Sequence, residues 1–198
     1  KDLSQPKDIR DIYEDNNNDI WFATESGIAK YNQFLNTIES ISDSAPKNIM
    51  QIIQDKNSNL WFCTEKEGLT RYHTKDNTFQ IIKNIPANRN SLSSNTLLSL
   101  YYDRDGNLWI GTKGGGINRM NLSQSFDLYS SIPGRVNSLR YPSVKAIKVD
   151  GDSLLWIGYQ NGIDIIDLTA DEKTNNDLIS RAEKEIPIIS VLSFASDH

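Results

Sequence analysis

The chain has 198 residues, a mass of 22.4 kDa and a net charge of −5 at pH 7. No apolar run approaches the roughly 20 residues that cross a bilayer, and the basic residues are scattered, unlike the clustered face that binds nucleic acid. The single cysteine excludes an internal disulfide and every multi-cysteine zinc site, while the 20 asparagines and 21 serines, which favour turns, predict many short elements.

Four copies of one repeat follow each other along the chain, and each is marked by a tryptophan. The tryptophans are 40, 48 and 47 residues apart, and a period in the forties is typical of repeat architectures. An aspartate lies six residues before each tryptophan, and apolar residues lie six and three positions before that aspartate. The aspartate and tryptophan pairs are Asp15 and Trp21, Asp55 and Trp61, Asp103 and Trp109, and Asp150 and Trp156.

The third repeat shows the predicted elements most clearly. The sequence predicts strands at 97–102, 108–112 and 117–120, a turn at 103–107, and a weaker fourth strand at 126–129. Short apolar segments separated by Asp, Asn and Gly are typical of antiparallel strands, and four of them in about 45 residues predict one blade of a β-propeller. Apolar residues at both parities of the first strand, such as Leu97, Leu98 and Leu100, predict a blade that is covered on both faces.

The fourth repeat departs from the others, and a fifth copy begins after it. Tyr159 stands where the others have threonine, and Ile165 and Ile166 stand where the first two have a basic–aromatic pair. The polar segment 171–185 is predicted to form a short helix or a long outer loop. The fifth copy contains an aspartate, Asp197, but the sequence ends before its tryptophan, so we expect the chain to be a piece of a longer array.

The sequence therefore predicts an all-β fold, a partial β-propeller of about four four-stranded antiparallel blades plus the first strand of a fifth. The predicted blades are about 7–47, 48–94, 95–142 and 143–185, and the fifth begins at 186–198. Each tryptophan is expected to pack between adjacent blades, and each aspartate to cap the turn before the second strand. Because a propeller normally closes its ring, we expect exposed apolar faces on the first and last blades, covered by another copy or by further chain.

The pattern resembles the two-component regulator propeller repeat. The resemblance rests on spaced apolar residues, the aspartate, a short turn, Leu-Trp-Ile-Gly-Thr, then Gly-Ile and a basic–aromatic pair, and it is best at 97–120. It implies that the chain belongs to the periplasmic sensor region of a Bacteroidetes-type hybrid two-component system. In such proteins a membrane helix, a histidine kinase, a receiver and a DNA-binding domain follow the sensor region. Many such sensors respond to oligosaccharides and switch on glycan-degradation genes. The resemblance also implies a homodimeric parent protein with kinase activity, of which this region is not the enzyme.

Catalytic and metal chemistry have little support in the sequence. His73 and His198 are interpreted as solvated residues, and Cys63 as a small buried filler, because no activating base accompanies it. The acidic turn 103–107 is similar to part of a calcium loop but lacks the later bidentate glutamate, which favours a simple hairpin turn. We therefore predict no catalytic residue, no metal, no cofactor, and no contact of this region with nucleic acid or a membrane.

Ligand binding is better supported, because in a four-stranded meander the loops between strands two and three open on the same face as the loops between blades. The predicted ligand-binding residues are Glu25, Lys66, Lys113, Tyr159 and Gln160 in the first kind of loop, and Asn95, Arg140 and Tyr141 in the second. Amides and charged groups would bond sugar hydroxyls, and aromatic rings would stack on the sugar. The alternative for each residue is an ordinary solvated loop position.

Three functions compete on this evidence. The first is an oligosaccharide-sensing part of an ectodomain, working with the rest of the propeller. The second is a non-catalytic scaffold for protein contacts or dimerisation. The third is a propeller lyase or hydrolase, which the shortage of histidine disfavours.

Overall fold

The structure is a computed structural model that describes residues 8–42, 45–88, 90–121, 126–135, 138–151 and 153–169. These residues form 15 β-strands and no helix, so the described part of the chain contains no helix that could cross a membrane. The predicted fifth repeat at 186–198, with Asp197, and the segment 171–185 lie outside the described residues.

Four antiparallel sheets follow each other in chain order, and we call them blades one to four. Blade one has β1 (Ile9–Glu14), β2 (Ile20–Thr24), β3 (Ile28–Asn32) and β4 (Thr37–Ser40). Blade two has β5 (Ile49–Gln54), β6 (Leu60–Thr64), β7 (Leu69–His73) and β8 (Thr78–Ile82). Blade three has β9 (Leu97–Tyr102), β10 (Leu108–Thr112), β11 (Ile117–Met120) and β12 (Phe126–Tyr129). The described residues of blade four form β13 (Ala146–Asp150), β14 (Leu154–Tyr159) and β15 (Gly162–Asp167).

The predicted all-β propeller architecture is confirmed, and blade three has its four strands at the predicted bounds. The first strands of neighbouring blades lie side by side. Asp11 Oδ2 accepts the backbone N–H of Ile52 at 2.8 Å, and Gln51 Oε1 accepts that of Leu100 at 2.6 Å. The first strands therefore form the inner side of the blades, and the fourth strands of the first three blades form the outer rim.

Three hydrophobic cores hold the blades together, one at each junction. Each core contains the tryptophan of the earlier blade and aliphatic residues from the first two strands of the later blade. Trp21 shares its core with Ile49, Ile52 and Leu60, Trp61 with Leu97, Leu100 and Leu108, and Trp109 with Val144, Ile147 and Leu155. Burying one such aliphatic side chain contributes about 1.5–3 kcal/mol, so the junctions are the main source of stability.

Blade one has an uncovered apolar face, as the sequence predicts. Ile12 on β1 is 60% exposed, whereas Ile52 at the equivalent position of blade two is 1% exposed. Ile9 is likewise exposed, while its equivalent, Ile49, is buried. The surface that would cover this face stays a prediction.

Candidate functional site

Two kinds of loop meet on one side of the blades, which we call the upper face. They are the loops between strands two and three, at 25–27, 65–68, 113–116 and 160–161, and the loops between blades, at 41–48, 83–96 and 130–145. Backbone N–H groups join the two kinds: Asn48 donates to the Glu25 carbonyl at 2.9 Å, Gly68 to Asn95 at 3.0 Å, and Gly116 to Pro142 at 2.9 Å. Each loop between blades is thus tied to the preceding blade.

The repeated aspartate caps the turn on the opposite, lower face in the first three blades. Asp103 Oδ1 accepts the backbone N–H of Asn107 at 2.7 Å, and its Oδ2 accepts the indole N–H of Trp109 at 2.7 Å. Asp15 and Asp55 make the same pair of contacts, with indole bonds of 2.9 and 3.0 Å. Since both carboxylate oxygens accept N–H groups, these aspartates hold the turn and the tryptophan together.

The basic residue of the repeat lies over the tryptophan ring of its own blade. The pairs are Lys30 and Trp21, Arg71 and Trp61, and Arg119 and Trp109, with 5.1, 5.3 and 5.6 Å between the cation and the ring centroid. In each pair the two residues face each other across strands two and three. This position of the motif therefore adds a cation–π contact of about 0.5–1 kcal/mol at a partly exposed site.

Blade four lacks both features. Asp150 is exposed, and the buried indole N–H of Trp156 has no hydrogen-bond partner among the described residues. Ile165 lies opposite Trp156, where the other blades have Lys or Arg. The cap predicted at Asp150 therefore does not include the tryptophan. One difference is Leu154, which stands where Asn59 and Asn107 bring a side-chain amide to the carboxylate in blades two and three.

The predicted ligand-binding residues all lie on the upper face, but their surroundings and contacts differ. Asn95 braces its own loop, because its Oδ1 accepts the backbone N–H of Asn84 at 2.7 Å. Glu25 and Lys66 are exposed on blades one and two, and Lys113 and Gln160 are exposed on blades three and four. The remaining three, Arg140, Tyr141 and Tyr159, belong to one cluster.

This cluster lies at the junction of blades three and four and is organised by a buried carboxylate, Asp164. Its Oδ2 accepts the hydroxyl of Tyr159 at 2.7 Å and the backbone N–H of Arg140 at 3.0 Å. Its Oδ1 lies 3.2 Å from Arg140 Nη2, an ion pair at an angle unsuited to a hydrogen bond. The ring of Tyr141, 43% exposed, packs edge-on against Tyr159 with centroids 5.3 Å apart. One carboxylate thus fixes a loop backbone, a guanidinium and an aromatic pair.

The residues that define the repeat motif do not include the position of Asp164. The equivalent positions in the other blades are Ala29, Thr70 and Asn118, so a charge at an otherwise uncharged position of the repeat was the available signal. Burial, and then the negative charge of Asp164, raise the pKa of Tyr159 above its ordinary value. The tyrosine hydroxyl therefore stays protonated and acts as a donor.

The two longer loops between blades share a brace that the repeat pattern did not reveal. Asn-Ser-Leu occurs at 90–92 and again at 137–139. The hydroxyl of Ser91 bonds the backbones of Ile85 and Asn88, and that of Ser138 bonds the backbones of Ile132 and Arg135. Leu92 and Leu139 are buried beneath these turns. The loop between blades one and two has no such sequence, which accounts for the shorter first tryptophan spacing.

The first strands of all four blades line an open cleft of about 250 Å³ on their inner side. Asp11 and Gln51 cross this cleft to the next blade, whereas the buried hydroxyl of Ser99, at the equivalent position, has no hydrogen-bond partner among the described residues. Burial raises the pKa of Asp11, and the N–H of Ile52 partly opposes that rise. Ser99 therefore does not make the link that Asp11 and Gln51 make, and the hydroxyl of Tyr101 on β9 bonds the Val149 carbonyl on β13 at 3.1 Å instead.

Cys63 and His73 add no site. Cys63 is fully buried opposite Gln51, and burial raises the pKa of its thiol, so it stays neutral. His73 is half-buried at the end of β7. Across the described residues, no group of three or more His, Cys, Asp or Glu side chains is arranged to hold a metal. The candidate site is therefore the upper face at blades three and four.

The family profile described as two-component regulator propeller matches residues 3–26 and 91–114. These matches include β1 and β2 of blade one and β9 and β10 of blade three, with the capped turn between them. No curated protein sequence matches the chain.

Several solved structures share the fold. The chain is 20% identical to the extracellular domain assigned to a hybrid two-component system of Bacteroides thetaiotaomicron, with a TM-score of 0.71 over 87% of this chain and 26% of that one. A second such domain from this organism is 17% identical, with a TM-score of 0.53 over 96% of this chain and 31% of its own. Virginiamycin B lyase of Staphylococcus aureus is 17% identical, with a TM-score of 0.61 over 81% of this chain and 52% of its own.

The chain spans about a quarter to a half of the length of these structures. At such identities, their similarity shows the fold alone. The similarity to the family rests instead on the profile match at 3–26 and 91–114, which agrees with the repeated aspartate, tryptophan and basic residue in their blade geometry. At these two segments the chain is therefore similar to the two-component regulator propeller repeat, and its described residues fold as blades of a β-propeller.

Proposed function

We propose that the chain is part of the periplasmic sensor of a hybrid two-component system, where it recognises an oligosaccharide and so controls glycan-utilisation genes. Support comes from the two-component regulator propeller repeats and from the extracellular domains of hybrid two-component systems that share the fold. The rest of the propeller and a second copy of the parent protein are its proposed partners. The residues of this chain are proposed to bind without catalysis, and the signalling kinase would lie elsewhere in the parent.

The observation that carries the proposal is the cluster around Asp164 on the upper face. It holds the half-exposed ring of Tyr141 and the partly exposed guanidinium of Arg140 in fixed positions next to each other. An aromatic ring beside a hydrogen-bond donor is an arrangement suited to a sugar, since the ring stacks on its apolar face and the donor bonds a hydroxyl. Gln160, exposed on the neighbouring loop, would add an amide.

Signalling requires that the ligand favour one arrangement of the blades. The backbone of Arg140 belongs to the loop between blades three and four, and Asp164 belongs to β15 of blade four. A sugar that contacts Tyr141 and Gln160 would therefore bridge that loop and blade four. Because a ligand stabilises the state that it binds, occupancy would restrict movement at this junction.

Isothermal titration calorimetry against a panel of neutral and acidic oligosaccharides tests the proposal. We expect at least one oligosaccharide to bind, and Tyr141→Ala to weaken that binding about tenfold or more through loss of stacking. Phe34→Ala is the matched control, since it removes an exposed ring from the lower face. Absence of binding across the panel, or equal effects of the two substitutions, would contradict the proposal.

A scaffold for protein contacts is the second candidate, and a specific surface favours it. Phe34 and Leu35 are exposed at the turn between β3 and β4, where the same turn of blade two carries Lys75 and Asp76. Sedimentation velocity would distinguish the two functions. A dimer that Phe34→Asp dissociates, in a protein that binds no oligosaccharide, would favour the scaffold. The lyase alternative is supported only by the fold that the chain shares with virginiamycin B lyase.

A further inference from the structure

Charge is distributed unevenly over the upper face. On blades one and two, its loops carry both signs, with Glu25, Glu65 and Glu67 among the lysines. On blades three and four, the segments 112–116, 130–145 and 159–162 contain no aspartate or glutamate. Their charged residues are all basic: Lys113, Arg135, Arg140 and Lys145. The protein as a whole has a net charge of −5, so this half of the upper face is a local exception.

Three of these cations are held close together by backbone contacts. The segment that follows Lys113 is bonded to the loop of Arg140, because the N–H groups of Gly114 and Gly116 both donate to the carbonyl of Pro142, at 3.1 and 2.9 Å. The N–H of Lys145 donates to the carbonyl of Gly158 at 2.8 Å, next to Tyr159. Lys113, Arg140 and Lys145 therefore lie on segments whose backbones are bonded to the residues next to Tyr141 and Tyr159.

Two carboxylates lie near these cations: Asp164, and Asp11, which lines the inner cleft with Lys145 and accepts the backbone N–H groups of Ile12 and Ile52. Asp164 is buried and forms an ion pair with Arg140, so it offsets a single guanidinium. Lys113 is exposed and Lys145 is half-exposed, and neither side chain forms an ion pair with a described residue. Lys145 also lines the inner cleft, together with the unpartnered hydroxyl of Ser99. A ligand at Tyr141 would therefore bind close to the segments that carry Lys113 and Lys145.

We infer that the upper face of blades three and four selects an acidic oligosaccharide, one that carries carboxylate or sulfate groups. Guanidinium and ammonium groups bind these anions through charge-assisted hydrogen bonds, and a patch of one sign raises the rate of association with ligands of the opposite sign. The inference rests on the proposed function, and it adds the class of sugar. Tyr141 would stack on a sugar ring, while Lys113, Arg140 and Lys145 would contact its acidic substituents.

Calorimetry with three galactose-based probes of equal length tests the inference on the full chain. The probes are an oligogalacturonate with carboxylates, a sulfated galactan oligosaccharide and an uncharged galactan oligosaccharide. We expect one or both acidic probes to bind more tightly than the uncharged probe, and to bind more weakly as salt is raised. The difference between the first two probes would identify the preferred acidic group.

Substitution of the lysines locates the binding. We expect Lys113→Gln with Lys145→Gln to weaken the acidic probe about tenfold, because two ionic contacts are lost. The control pair is Lys47→Gln with Lys83→Gln, exposed lysines on the loops of the mixed-charge half, which should leave the affinity within about twofold. These four side chains are surface groups, so the fold should be retained, and the thermal midpoint verifies it.

Two results would overturn the inference, and they differ in what they leave standing. Equal or tighter binding of the uncharged probe, or an affinity unchanged by Lys113→Gln with Lys145→Gln, would reject selection by charge and leave an oligosaccharide sensor intact. Failure of all three probes and of the wider glycan panel would reject the sensor function together with the inference.

Discussion

Blades three and four show how the same repeat can be used for structure or for a site. In blade three, Asp103 is buried and bonds the indole of Trp109. In blade four, the corresponding Asp150 is exposed, and the indole N–H of Trp156 has no partner among the described residues. Both blades have the aspartate and the tryptophan, but only blade three has the hydrogen bond between them.

The loop between strands two and three differs in the same way. In blade three, the hydroxyl of Thr112 donates to the carbonyl of Gly116 at 2.8 Å and closes the loop on itself. In blade four, Tyr159 replaces the threonine, and its hydroxyl bonds Asp164 instead. Blade four therefore lacks the contact that closes this loop in blade three, and its residues form the cluster on the upper face instead. Departures from the repeat therefore mark the candidate site.

The largest effect is expected from the tryptophans. Trp109→Ala should lower the free energy of unfolding by about 3–5 kcal/mol, since a buried aromatic ring is lost from a closed core. Trp156→Ala should cost clearly less, because that ring is only partly buried. Urea denaturation of the two variants measures the difference. Equal losses would mean that the two rings are equally enclosed in solution.

The aspartate caps should differ in the same direction. Asp103→Ala leaves the indole of Trp109 and the turn N–H without an acceptor, and should cost about 2–3 kcal/mol. Asp150→Ala should stay within about 0.5 kcal/mol, as is usual for an exposed position. Urea denaturation again measures both. A large loss for Asp150→Ala would show that blade four also depends on its cap.

The buried carboxylate of blade four has its own matched test. Asp164→Asn introduces the residue type that blade three has at Asn118, and should cost about 2 kcal/mol, less than for a fully buried pair because Arg140 is partly exposed. The variant should also weaken the binding of any ligand that contacts Arg140, since the guanidinium loses its ion pair, while an asparagine can still accept the loop N–H as Asn118 does from Ser93. Thermal unfolding and calorimetry measure the two effects. A stable variant with full affinity would remove Asp164 from the site.

The smallest expected effect is a gain. Ser99→Gln would place an amide at the position from which Gln51 crosses to the next blade. A new hydrogen bond to blade four should add about 0.5–1 kcal/mol. Ser99→Ala is the control, and it should not raise the free energy of unfolding. A lower free energy of unfolding for Ser99→Gln would show that this position cannot accommodate the longer side chain.

The fold was largely predictable because its signals are local. The strands and the turn of blade three lie within about 35 residues, and Asp, Gly and Trp mark their ends. The cap is also local, since Asp103 and Trp109 are six residues apart. The same locality explains how the sequence could place Lys113, Arg140, Tyr141 and Tyr159 on one face.

The parts that could not be predicted depend on contacts between distant residues. Asp164 bonds Arg140, 24 residues away, and no pattern within β15 identifies a buried charge. The sequence also did not show that the side chain of Asn95 accepts the N–H of Asn84, which depends on the path of the loop; its predicted ligand contact stays a prediction. The indole N–H of Trp156 has no partner among the described residues because the side chain of Asp150 is exposed. The presence of the aspartate in the sequence does not reveal this placement.

The most direct test of the upper face as the binding site is a two-dimensional NMR titration of the chain with an oligogalacturonate. Binding at the candidate site predicts amide shift changes concentrated at 112–116, 138–145 and 158–164, with blades one and two nearly unchanged. Changes centred on the lower-face turns, on blade one, or spread evenly over the chain would contradict a site built around Asp164.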